Sequence, residues 1–407
     1  MRSYYLLIER LNSKVYYCLL EYYANQEKCS MNVAVVSNVV YPFVKGGAEK
    51  RIHEIGSRLV GRGHQVTVYG RQFWDGPAEI EHEGMTLRGV APACELYTDD
   101  RRSITEAIGF ATRVLRPLSQ HAATHDVVVA SVFPYFPVFA AKGASVLNGT
   151  PLVTTWHEVW GSYWEEYLDS LAPFGKTVER LAARVPQYPI AVSGVTADRL
   201  AGLGLAHETI SVVPNGIDVN WISSLEPAPD GFDVLFAGRL AEHKNVDVLL
   251  RAFDRAAETA TLGIVGDGPE AARLETFASD LECSDRVTFL GFLDDHEDVL
   301  ARMRAARVFA SPSTREGFGI TFAEAMAADC TVIAAAHPES AAGEVVGDGG
   351  FVVEPSIEGV SEALERALEG ERPPGDPTAV ARRYDWDRVT ERAERVYQKA
   401  AVEQFLA

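Results

Sequence analysis

The sequence has no long apolar run, and it is short of positive charge and of cysteine. No stretch of about 18 apolar residues occurs among its 407 residues, so we expect no transmembrane helix. Asp and Glu number 57 against 38 Lys and Arg, which gives a formal net charge of -19. This excess argues against nucleic acid as a partner, because nothing would neutralise the phosphate backbone. The five cysteines lie far apart without metal-ligand spacing, which indicates free thiols in a reducing compartment.

Residues 1–30 differ from the sequence that follows them. Tyr4–Tyr23 is rich in Tyr and Leu but is interrupted by charges, and it lacks the apolar region and cleavage site of a signal peptide. Met31 then precedes a clean strand pattern, Asn32–Ser37. We expect residues 1–30 to be a mis-called extension and Met31 to be the natural start. The alternative is an amphipathic helix that contacts a partner or a membrane.

Short apolar runs alternate with helical patterns along the chain, which is typical of parallel α/β sheets. A chain of this length is too long for one ordinary core, and the alternation restarts after a linker-like segment at 226–231. We therefore predict two α/β domains with a ligand cleft between them. The predicted strands are Asn32–Ser37, Gln65–Tyr69, Val127–Ser131, Leu152–Thr155, Ile190–Ser193, Ile210–Val213, Asp233–Ala237, Thr261–Val265, Val287–Leu290, Arg307–Ala310 and Thr331–Ala334.

Two carboxylates flank a Gly-x-Gly in Glu316-Gly-Phe-Gly-Ile-Thr-Phe-Ala-Glu324. The apolar run before this segment indicates a buried strand, and Ala325-Met-Ala-Ala after it is a strong helix former. Gly317 and Gly319 should therefore open a helix that contains Glu324. Free N–H groups at a helix start attract phosphate, and carboxylates accept hydrogen bonds from hydroxyls. The pattern predicts a nucleotide sugar as ligand, although a single Glu here could serve only the helix dipole.

Two cations follow the predicted strand Asp233–Ala237, in Gly238-Arg239-Leu240-x-x-x-Lys244-Asn245. Arg239 offers a planar fork and Lys244 a point charge, so together they would neutralise a diphosphate and stabilise it as a leaving group. A solvated surface loop is the alternative. Near the start of the chain, Gly46-Gly47 follows the first strand and opens a helix. This arrangement suits a phosphate or a close ligand backbone, but a tight turn alone would also explain it.

His157 ends a predicted strand in Thr154-Thr-Trp-His-Glu-Val-Trp160 and could exchange a hydrogen bond with a sugar hydroxyl. A structural histidine is the alternative. The aromatic residues around it could pack on a sugar ring of the acceptor, or they could belong to the core. These aromatic residues are Trp156, Trp160, Tyr163 and Trp164.

From Met31 to about Ala401, these motifs and their order resemble the retaining glycosyltransferases of the GT-B fold, specifically family GT4. The resemblance implies an α/β fold of two Rossmann-like domains that face each other across a cleft. The N-terminal domain, residues 31–218, would bind the acceptor, and the C-terminal domain, residues 219–385, would bind the nucleotide sugar. The final helix, residues 386–407, would pack back onto the first domain.

The resemblance also implies roles for individual residues. Glu316 would contact hydroxyls of the donor sugar, Glu324 the ribose, and His157 the neighbourhood of the donor sugar. The implied catalytic residues are Arg239, Lys244, Glu316 and His157. The implied nucleotide-sugar-binding residues are Gly46, Gly47, Gly266, Gly317, Phe318, Gly319 and Glu324. For Gly266, in Gly266-Asp-Gly-Pro269, a purely structural turn is the other interpretation.

Two segments depart from the family pattern. Asp329-Cys330-Thr331 stands where members commonly have Gly-Cys-Pro, and the loop from His337 to Glu344 stands where they often have Gly-Gly-x-x-Glu, so the donor contacts there stay open. Asp385-Trp-Asp387 has the spacing of an Asp-x-Asp metal site, but capping at a helix start explains it. We expect neither a metal nor a cofactor, because the two cations would do the work of a divalent ion.

The expected function is retaining transfer of a hexose-type sugar from a UDP- or GDP-linked donor to a hydroxyl of a glycan or a lipid carrier. We expect the protein in the cytoplasm. Contact with the inner membrane face stays open, because Ile104–Pro117 and its surroundings carry arginines near apolar residues. Two alternatives stay open, a nucleotide-sugar epimerase of the GT-B fold and a non-catalytic GT-B scaffold or binding protein.

Overall fold

A computed structural model describes residues 30–44, 46–98 and 101–406 of the chain. The expected extension, residues 1–30, falls outside these ranges except for Ser30. Contacts divide the chain into two compact units. The first contains the chain up to Thr155, Gly161–Pro189 and Thr390–Ala407, and the second contains Trp156–Trp160 and Ile190–Val389.

The first sheet has eight strands, and a short two-stranded ribbon stands apart from it. In chain order the strands are β1 (Asn32–Val36), β2 (Gln65–Gln72), β3 (Glu79–His82), β4 (Met85–Pro92), the ribbon strands β5 (Tyr97–Thr98) and β6 (Arg101–Arg102), β7 (Val127–Ser131), β8 (Leu152–Trp156), β9 (Tyr188–Ala191) and β10 (Ser211–Val212). The sheet order is β10-β9-β8-β7-β1-β2-β4-β3, and β3 runs antiparallel to β4. The first four residues of β7 are apolar and buried because a parallel sheet is covered on both faces.

Helices connect these strands. They are α1 (Gly47–Gly61), α2 (Ile104–His121), α3 (Phe136–Asn148), α4 (Tyr163–Leu168), α5 (Ala172–Arg184), α6 (Gly194–Gly202) and α7 (Val219–Ser224). Local chemistry sets several of their starts. The Ser103 hydroxyl accepts a hydrogen bond from the N–H of Glu106 at the start of α2, and the Asp218 carboxylate accepts one from Trp221 at the start of α7.

The second sheet has six parallel strands in the order β13-β12-β11-β14-β15-β16. Its elements are β11 (Val234–Ala237), α8 (Val246–Ala256), β12 (Leu262–Val265), α9 (Ala271–Ser279), β13 (Val287–Gly291), α10 (His296–Ala305), β14 (Val308–Ser311), α11 (Ile320–Ala327), β15 (Thr331–Ala335), α12 (Ala342–Val346), β16 (Gly350–Val353), α13 (Ile357–Leu368) and α14 (Pro377–Ala381). Helix α8 buries Val246, Leu249, Leu250 and Phe253, which repeat at helical spacing.

The last helix, α15 (Trp386–Leu406), joins the first unit from Thr390 onward. Asp385 accepts a hydrogen bond from the N–H of Asp387 at 3.0 Å, so the Asp-x-Asp there is a helix cap, as predicted. Within the first unit, the buried Glu394 carboxylate accepts hydrogen bonds from Arg62 at 2.7 Å and from His64 at 3.1 Å. Burial alone would raise the pKa of Glu394, but these two partners lower it.

The predicted α/β architecture with parallel sheets is confirmed. Each strand predicted from an apolar run is present, and Val127–Ser131 has the predicted bounds. The domain boundary at residue 218 stays a prediction. Strands β9 and β10 belong to the first sheet, but residues from Ile190 onward belong to the second compact unit. Cys283 and Cys330 are free thiols, as expected. Within the described ranges, no helix is both long and apolar enough to cross a membrane.

Candidate functional site

The strand order of the second sheet indicates the edge at which a ligand would bind. In a parallel sheet with this order, successive strands are added outward in one direction from one central strand and in the opposite direction from the other. Ligands bind beyond the carboxyl ends of these two central strands. Those strands are β11 and β14. The loop that follows β11 carries Arg239 and Lys244, and the loop that follows β14 carries Glu316. The fold therefore brings the two strongest motifs of the sequence to the same edge.

Lys244 and Glu316 meet at this edge. The Lys244 ammonium lies 2.6 Å from the Glu316 carboxylate, and their side chains are 16% and 12% exposed. The two loops are also joined by Asn245, whose side-chain amide donates a hydrogen bond to the carbonyl of Pro312 at 3.0 Å. In this arrangement a cation and a hydrogen-bond acceptor for hydroxyls stand side by side.

His243 adds a neutral group to the same cluster. Its carbonyl accepts a hydrogen bond from the N–H of Thr314 at 2.9 Å, which fixes the loop. Burial, together with the positive charges of Lys244, Arg315 and Arg239, lowers the pKa of the His243 imidazole to about 4, although the Glu316 carboxylate opposes this. The ring is therefore neutral near pH 7.

Arg239 differs from Lys244 in its surroundings. Its side chain is exposed, and it makes no hydrogen bond or ion pair with the described residues. The structure thus places both cations on the same loop but pairs just one of them with Glu316. The joint role of Arg239 and Lys244 at a diphosphate stays a prediction.

Helix α11 begins as the sequence predicted. Gly319 stands before the helix with φ of 84°, a left-handed conformation that favours glycine. Gly317 lies against backbone, because a Cβ there would come within 2.4 Å of the His157 carbonyl oxygen. The Phe318 side chain is buried and meets the ring of Tyr384 edge to face. Gly317 and Phe318 therefore have packing roles, and any ligand contact from them stays a prediction.

Glu324 lies inside α11 and is almost fully buried. One of its carboxylate oxygens, Oε1, lies 2.8 Å from the His296 ring nitrogen Nε2. The other, Oε2, is buried without a hydrogen-bond partner among the described residues. A buried carboxylate oxygen without a donor is costly, and the hydroxyl of a bound ligand would satisfy it.

His157 directly follows β8, and its side chain is partly exposed. Its neighbour Glu158 accepts a hydrogen bond from the Arg315 guanidinium at 2.6 Å. Burial raises the pKa of Glu158, and Arg315 opposes this rise. This ion pair holds the 156–160 segment against the loop that carries Glu316, and it was not predicted.

The aromatic residues around His157 are mainly core. Trp156 is fully buried, and Trp164 is nearly so. Trp164 packs on Gly175, and its indole N–H donates to the buried Glu179 carboxylate at 3.2 Å. The core interpretation therefore holds for both tryptophans.

The turn that contains Gly266 packs backbone against backbone. Gly266 has φ of 132°, and a Cβ there would come within 1.9 Å of the Gly238 carbonyl oxygen. Leu240 donates a hydrogen bond from its N–H to the Asp267 carbonyl at 2.9 Å. The turn therefore supports the loop that carries Arg239, which favours its structural interpretation.

In the first unit, Gly46 and Gly47 stand at the start of α1, at the edge where β1 and β7 end. A small depression that opens to solvent lies there, and it is lined by Ser37, Asn38, Glu49 and Ser131 among others. Gly46 is extended and has no side-chain cap. The place suits a polar ligand group, and the role of these two glycines stays a prediction.

The loop from His337 to Glu344, which departs from the family pattern, contacts residues at the start of α6 and within it. Glu344 accepts hydrogen bonds from the Gly194 N–H at 2.8 and 3.0 Å, which places a carboxylate at the start of α6. Glu339 pairs with Arg199 at 2.9 Å. Like the Glu158–Arg315 pair, these contacts join residues far apart in sequence, and no local signal could have indicated them.

Two family models match successive parts of the chain. A model described as "Glycosyltransferase Family 4" matches residues 45–221, and one described as "Glycosyl transferases group 1" matches residues 220–383. The chain is 24% identical over 394 residues to a subunit of the phosphatidylinositol N-acetylglucosaminyltransferase of Homo sapiens, covering 92% of this chain and 77% of the relative. It is 26% identical over 412 residues to a glycogen synthase of Mycobacterium tuberculosis, covering 91% and 95%.

A solved structure has the same fold. The Anabaena protein Alr3699/HepE, in complex with UDP and glucose, superposes with a TM-score of 0.66 at 21% identity, covering 90% of this chain and 98% of the other. The chain therefore belongs to the group 1, family 4 glycosyltransferases and is a transferase with the two-domain GT-B fold.

Proposed function

We propose that the protein transfers a hexose-type sugar from a UDP-linked donor, with retention of configuration, to a hydroxyl of a lipid-linked acceptor. The observation that carries the donor half of this proposal is the Lys244–Glu316 pair at the ligand edge of the second sheet. A diphosphate needs a cation, and a sugar needs a hydrogen-bond acceptor for its hydroxyls. Uracil is the proposed base because the Anabaena structure of the same fold holds UDP.

Each site residue has a place in this reaction. Lys244 and the exposed Arg239 bind the diphosphate and stabilise the negative charge that it gains on departure. Glu316 accepts hydrogen bonds from the sugar, and the unpartnered oxygen of Glu324 accepts one from the ribose. His157 contacts the donor sugar. Gly46, Gly47 and the backbone of residues 317–319 complete the donor site, and the turn at Gly266 supports the loop that carries Arg239.

The chemical step forms one bond and breaks one bond at the anomeric carbon. The acceptor oxygen attacks that carbon from the side on which the diphosphate departs, so the configuration is retained. The bond to the phosphate oxygen breaks, and its electron pair leaves with the diphosphate. The departing phosphate takes up the proton of the acceptor hydroxyl. The proposal assigns no metal to this step, because Lys244 and Arg239 supply the positive charge.

The acceptor half of the proposal rests on an apolar depression in the first unit. It opens to solvent and is lined mainly by carbon atoms of Phe133, Phe136, Tyr167 and Phe174. Beside it, Leu171, Phe174 and Leu181 are about half exposed on or next to α5. Such a surface fits the hydrocarbon part of a lipid and gives peripheral contact with a membrane. The human relative is named for a phosphatidylinositol acceptor, which supports the same class.

The donor half is tested by calorimetry with UDP, GDP and ADP, each with and without a chelator. We expect UDP to bind most tightly, the chelator to have no effect, and Lys244→Ala to weaken binding roughly tenfold or more. Lys176→Ala is the matched control, because Lys176 forms a similar 2.6 Å pair with Glu165 on the surface of the first unit. Folded protein that binds none of the three would favour the scaffold alternative.

The acceptor half is tested with labelled UDP-sugar and two acceptor classes, vesicles that contain anionic lipid and a soluble glucan. We expect label in the lipid fraction, and we expect Phe174→Glu to abolish this transfer while UDP binding stays unchanged. Transfer to the glucan in both proteins would instead favour a glycan acceptor, in line with the glycogen synthase relative. Interconversion of the donor sugar without transfer would favour an epimerase.

A further inference from the structure

Two histidines and a glutamate that have no assigned part in the reaction meet in the first unit. His53 lies on α1, and His82 and Glu83 lie at the turn between β3 and β4. Their spacing along the chain matches no metal motif. The three residues come together because the hairpin packs beside the helix. The fold alone brings the three side chains together, and the sequence could not indicate a metal here.

The ligand atoms are close enough to share one ion. One ligand atom from each residue lies within 4.8 Å of the other two. His53 Nε2 is 3.2 Å from one carboxylate oxygen of Glu83, and His82 Nε2 is 4.0 Å from the other. In a tetrahedral zinc site with bonds of about 2.0–2.2 Å, neighbouring ligand atoms are about 3.3 Å apart. Small side-chain rotations would give the three atoms that spacing.

The surroundings fit a bound cation. His53 is almost fully buried, and its other ring nitrogen, Nδ1, has no hydrogen-bond partner among the described residues. In the absence of an ion, Nε2 faces the Glu83 carboxylate; no hydrogen bond to a described residue holds Nδ1, so the ring can carry its proton there when an ion takes the place of that contact. Glu83 brings a negative charge, and the rings of Tyr41 and Phe43 lie 4.6 Å from His53 and 6.3 Å from His82. These aromatic rings limit the access of water to one side of the cluster.

The ligand types select the kind of ion. Two imidazole nitrogens with one carboxylate suit Zn²⁺ and similar transition ions, whereas Mg²⁺ and Ca²⁺ prefer oxygen ligands. Three protein ligands leave at least one coordination position for water or another ligand.

We propose that His53, His82 and Glu83 form a binding site for a divalent transition-metal ion of the zinc class. The ion joins α1 to the β3–β4 hairpin and holds the aromatic segment around Tyr41 and Phe43 against them. None of the three residues has an assigned part in the reaction, so this proposal is independent of the proposed reaction.

The test uses untagged, chelator-treated full-length protein. Calorimetry with Zn²⁺ should show one ion per chain, and thermal unfolding should shift upward with Zn²⁺ and stay unchanged with Mg²⁺. His82→Ala and Glu83→Gln, both at the surface turn, should each weaken Zn²⁺ binding roughly tenfold or more. X-ray absorption at the zinc edge should report two nitrogen ligands from imidazole and at least one oxygen.

His207→Ala is the matched control, because His207 forms an exposed 3.0 Å pair with Asp198 in the second unit. This variant should bind Zn²⁺ as the parent does. The proposal is overturned if the folded parent binds no Zn²⁺, or if His82→Ala and Glu83→Gln bind the same number of ions with the same affinity. The turn variants keep the test decisive even if the buried His53→Ala variant does not fold.

Discussion

Lys244 holds Glu316 through a 2.6 Å ion pair at the edge where the central strands of the second sheet end. Both side chains are mostly buried, so each charge relies on the other for compensation. In the proposed reaction, a diphosphate that approaches Lys244 would compete with Glu316 for the ammonium group. The sugar hydroxyls of a complete donor would then replace the lysine as hydrogen-bond donors to Glu316.

This competition predicts opposite effects on binding and on turnover. Glu316→Gln removes the charge that holds Lys244, so UDP, which has no sugar, should bind about three- to tenfold more tightly, or roughly 1 kcal/mol. Sugar transfer should fall about a hundredfold or more, because the contact with the donor sugar is lost. Calorimetry with UDP and an initial-rate assay with the UDP-sugar measure the two effects.

The control for this variant is Glu165→Gln, which removes the carboxylate of the exposed Lys176–Glu165 pair. It should change neither UDP affinity nor rate. Weaker UDP binding by Glu316→Gln would mean that Glu316 supports the nucleotide itself, and the competition model would be wrong.

We expect a substitution at Gly317 to lower stability through a steric clash. A Cβ at this position would lie 2.4 Å from the backbone carbonyl oxygen of His157, which cannot rotate away. The Gly317 carbonyl also accepts a hydrogen bond from Ser193 at 2.7 Å, so the loop has little room to shift. We expect Gly317→Ala to lower the free energy of unfolding by about 1–3 kcal/mol. Urea denaturation measures this change.

Gly61→Ala provides the comparison, because nothing lies within 4 Å of a Cβ at the end of α1. It should leave stability unchanged or raise it by up to about 1 kcal/mol, since alanine restricts the unfolded chain. Equal stability of Gly317→Ala and the parent protein would show that the 156–160 segment is not held where the structure places it.

The parts of the fold that the sequence predicted are those with a strong local signal. Residues 127–130 are fully apolar because helices cover both faces of the sheet, and the run of valines indicates the strand. The hairpin of Glu79–His82 and Met85–Pro92 was missed, because its first strand has just four residues, of which Ile80 alone is apolar. Helix Phe136–Asn148 was missed because it is largely apolar around its circumference and so lacks an amphipathic period.

The candidate site divides in the same way. The Glu316–Glu324 segment is local, so its loop, its glycine helix start and the position of Glu324 inside the helix could be predicted. The pairs Lys244–Glu316 and Glu158–Arg315 join residues 72 and 157 positions apart, and such pairing follows from topology. The same holds for His296, whose contact with Glu324 depends on how α10 packs beside α11.

His125 predicts how stability depends on pH. Burial, and then the nearby positive charge of Arg88, lowers the pKa of this imidazole from 6.5 to about 4 in the folded protein. Between these values the unfolded chain binds more protons, so stability is full above pH 6.5 and falls as the pH drops toward 4. Because the ring is partly exposed, solvent screening limits the loss to about 1–2 kcal/mol.

The variant His125→Gln tests this dependence, because a glutamine can keep a hydrogen bond with the Tyr69 hydroxyl, which lies 2.9 Å from the ring. Urea denaturation across the pH range should show a shallower acid loss in the variant and similar stability at neutral pH. Part of the loss should remain, since the pKa of His243 is lowered into the same window. An unchanged slope would mean that His125 is protonated equally in both states.

Asp169 predicts a stabilising substitution. It ends α4 with φ of 47° and ψ of -117°, a left-handed combination that side chains rarely adopt and glycine adopts freely. Such a conformation costs about 1–3 kcal/mol, whereas glycine gives back less than about 1 kcal/mol through the greater freedom of the unfolded chain. We therefore expect Asp169→Gly to raise the free energy of unfolding by about 1 kcal/mol, measured by urea denaturation.

Asp169→Ala keeps a Cβ in the same conformation, so it should give no gain in the free energy of unfolding. Equal stabilisation by both substitutions would trace the effect to the lost carboxylate, and the backbone explanation would then be wrong.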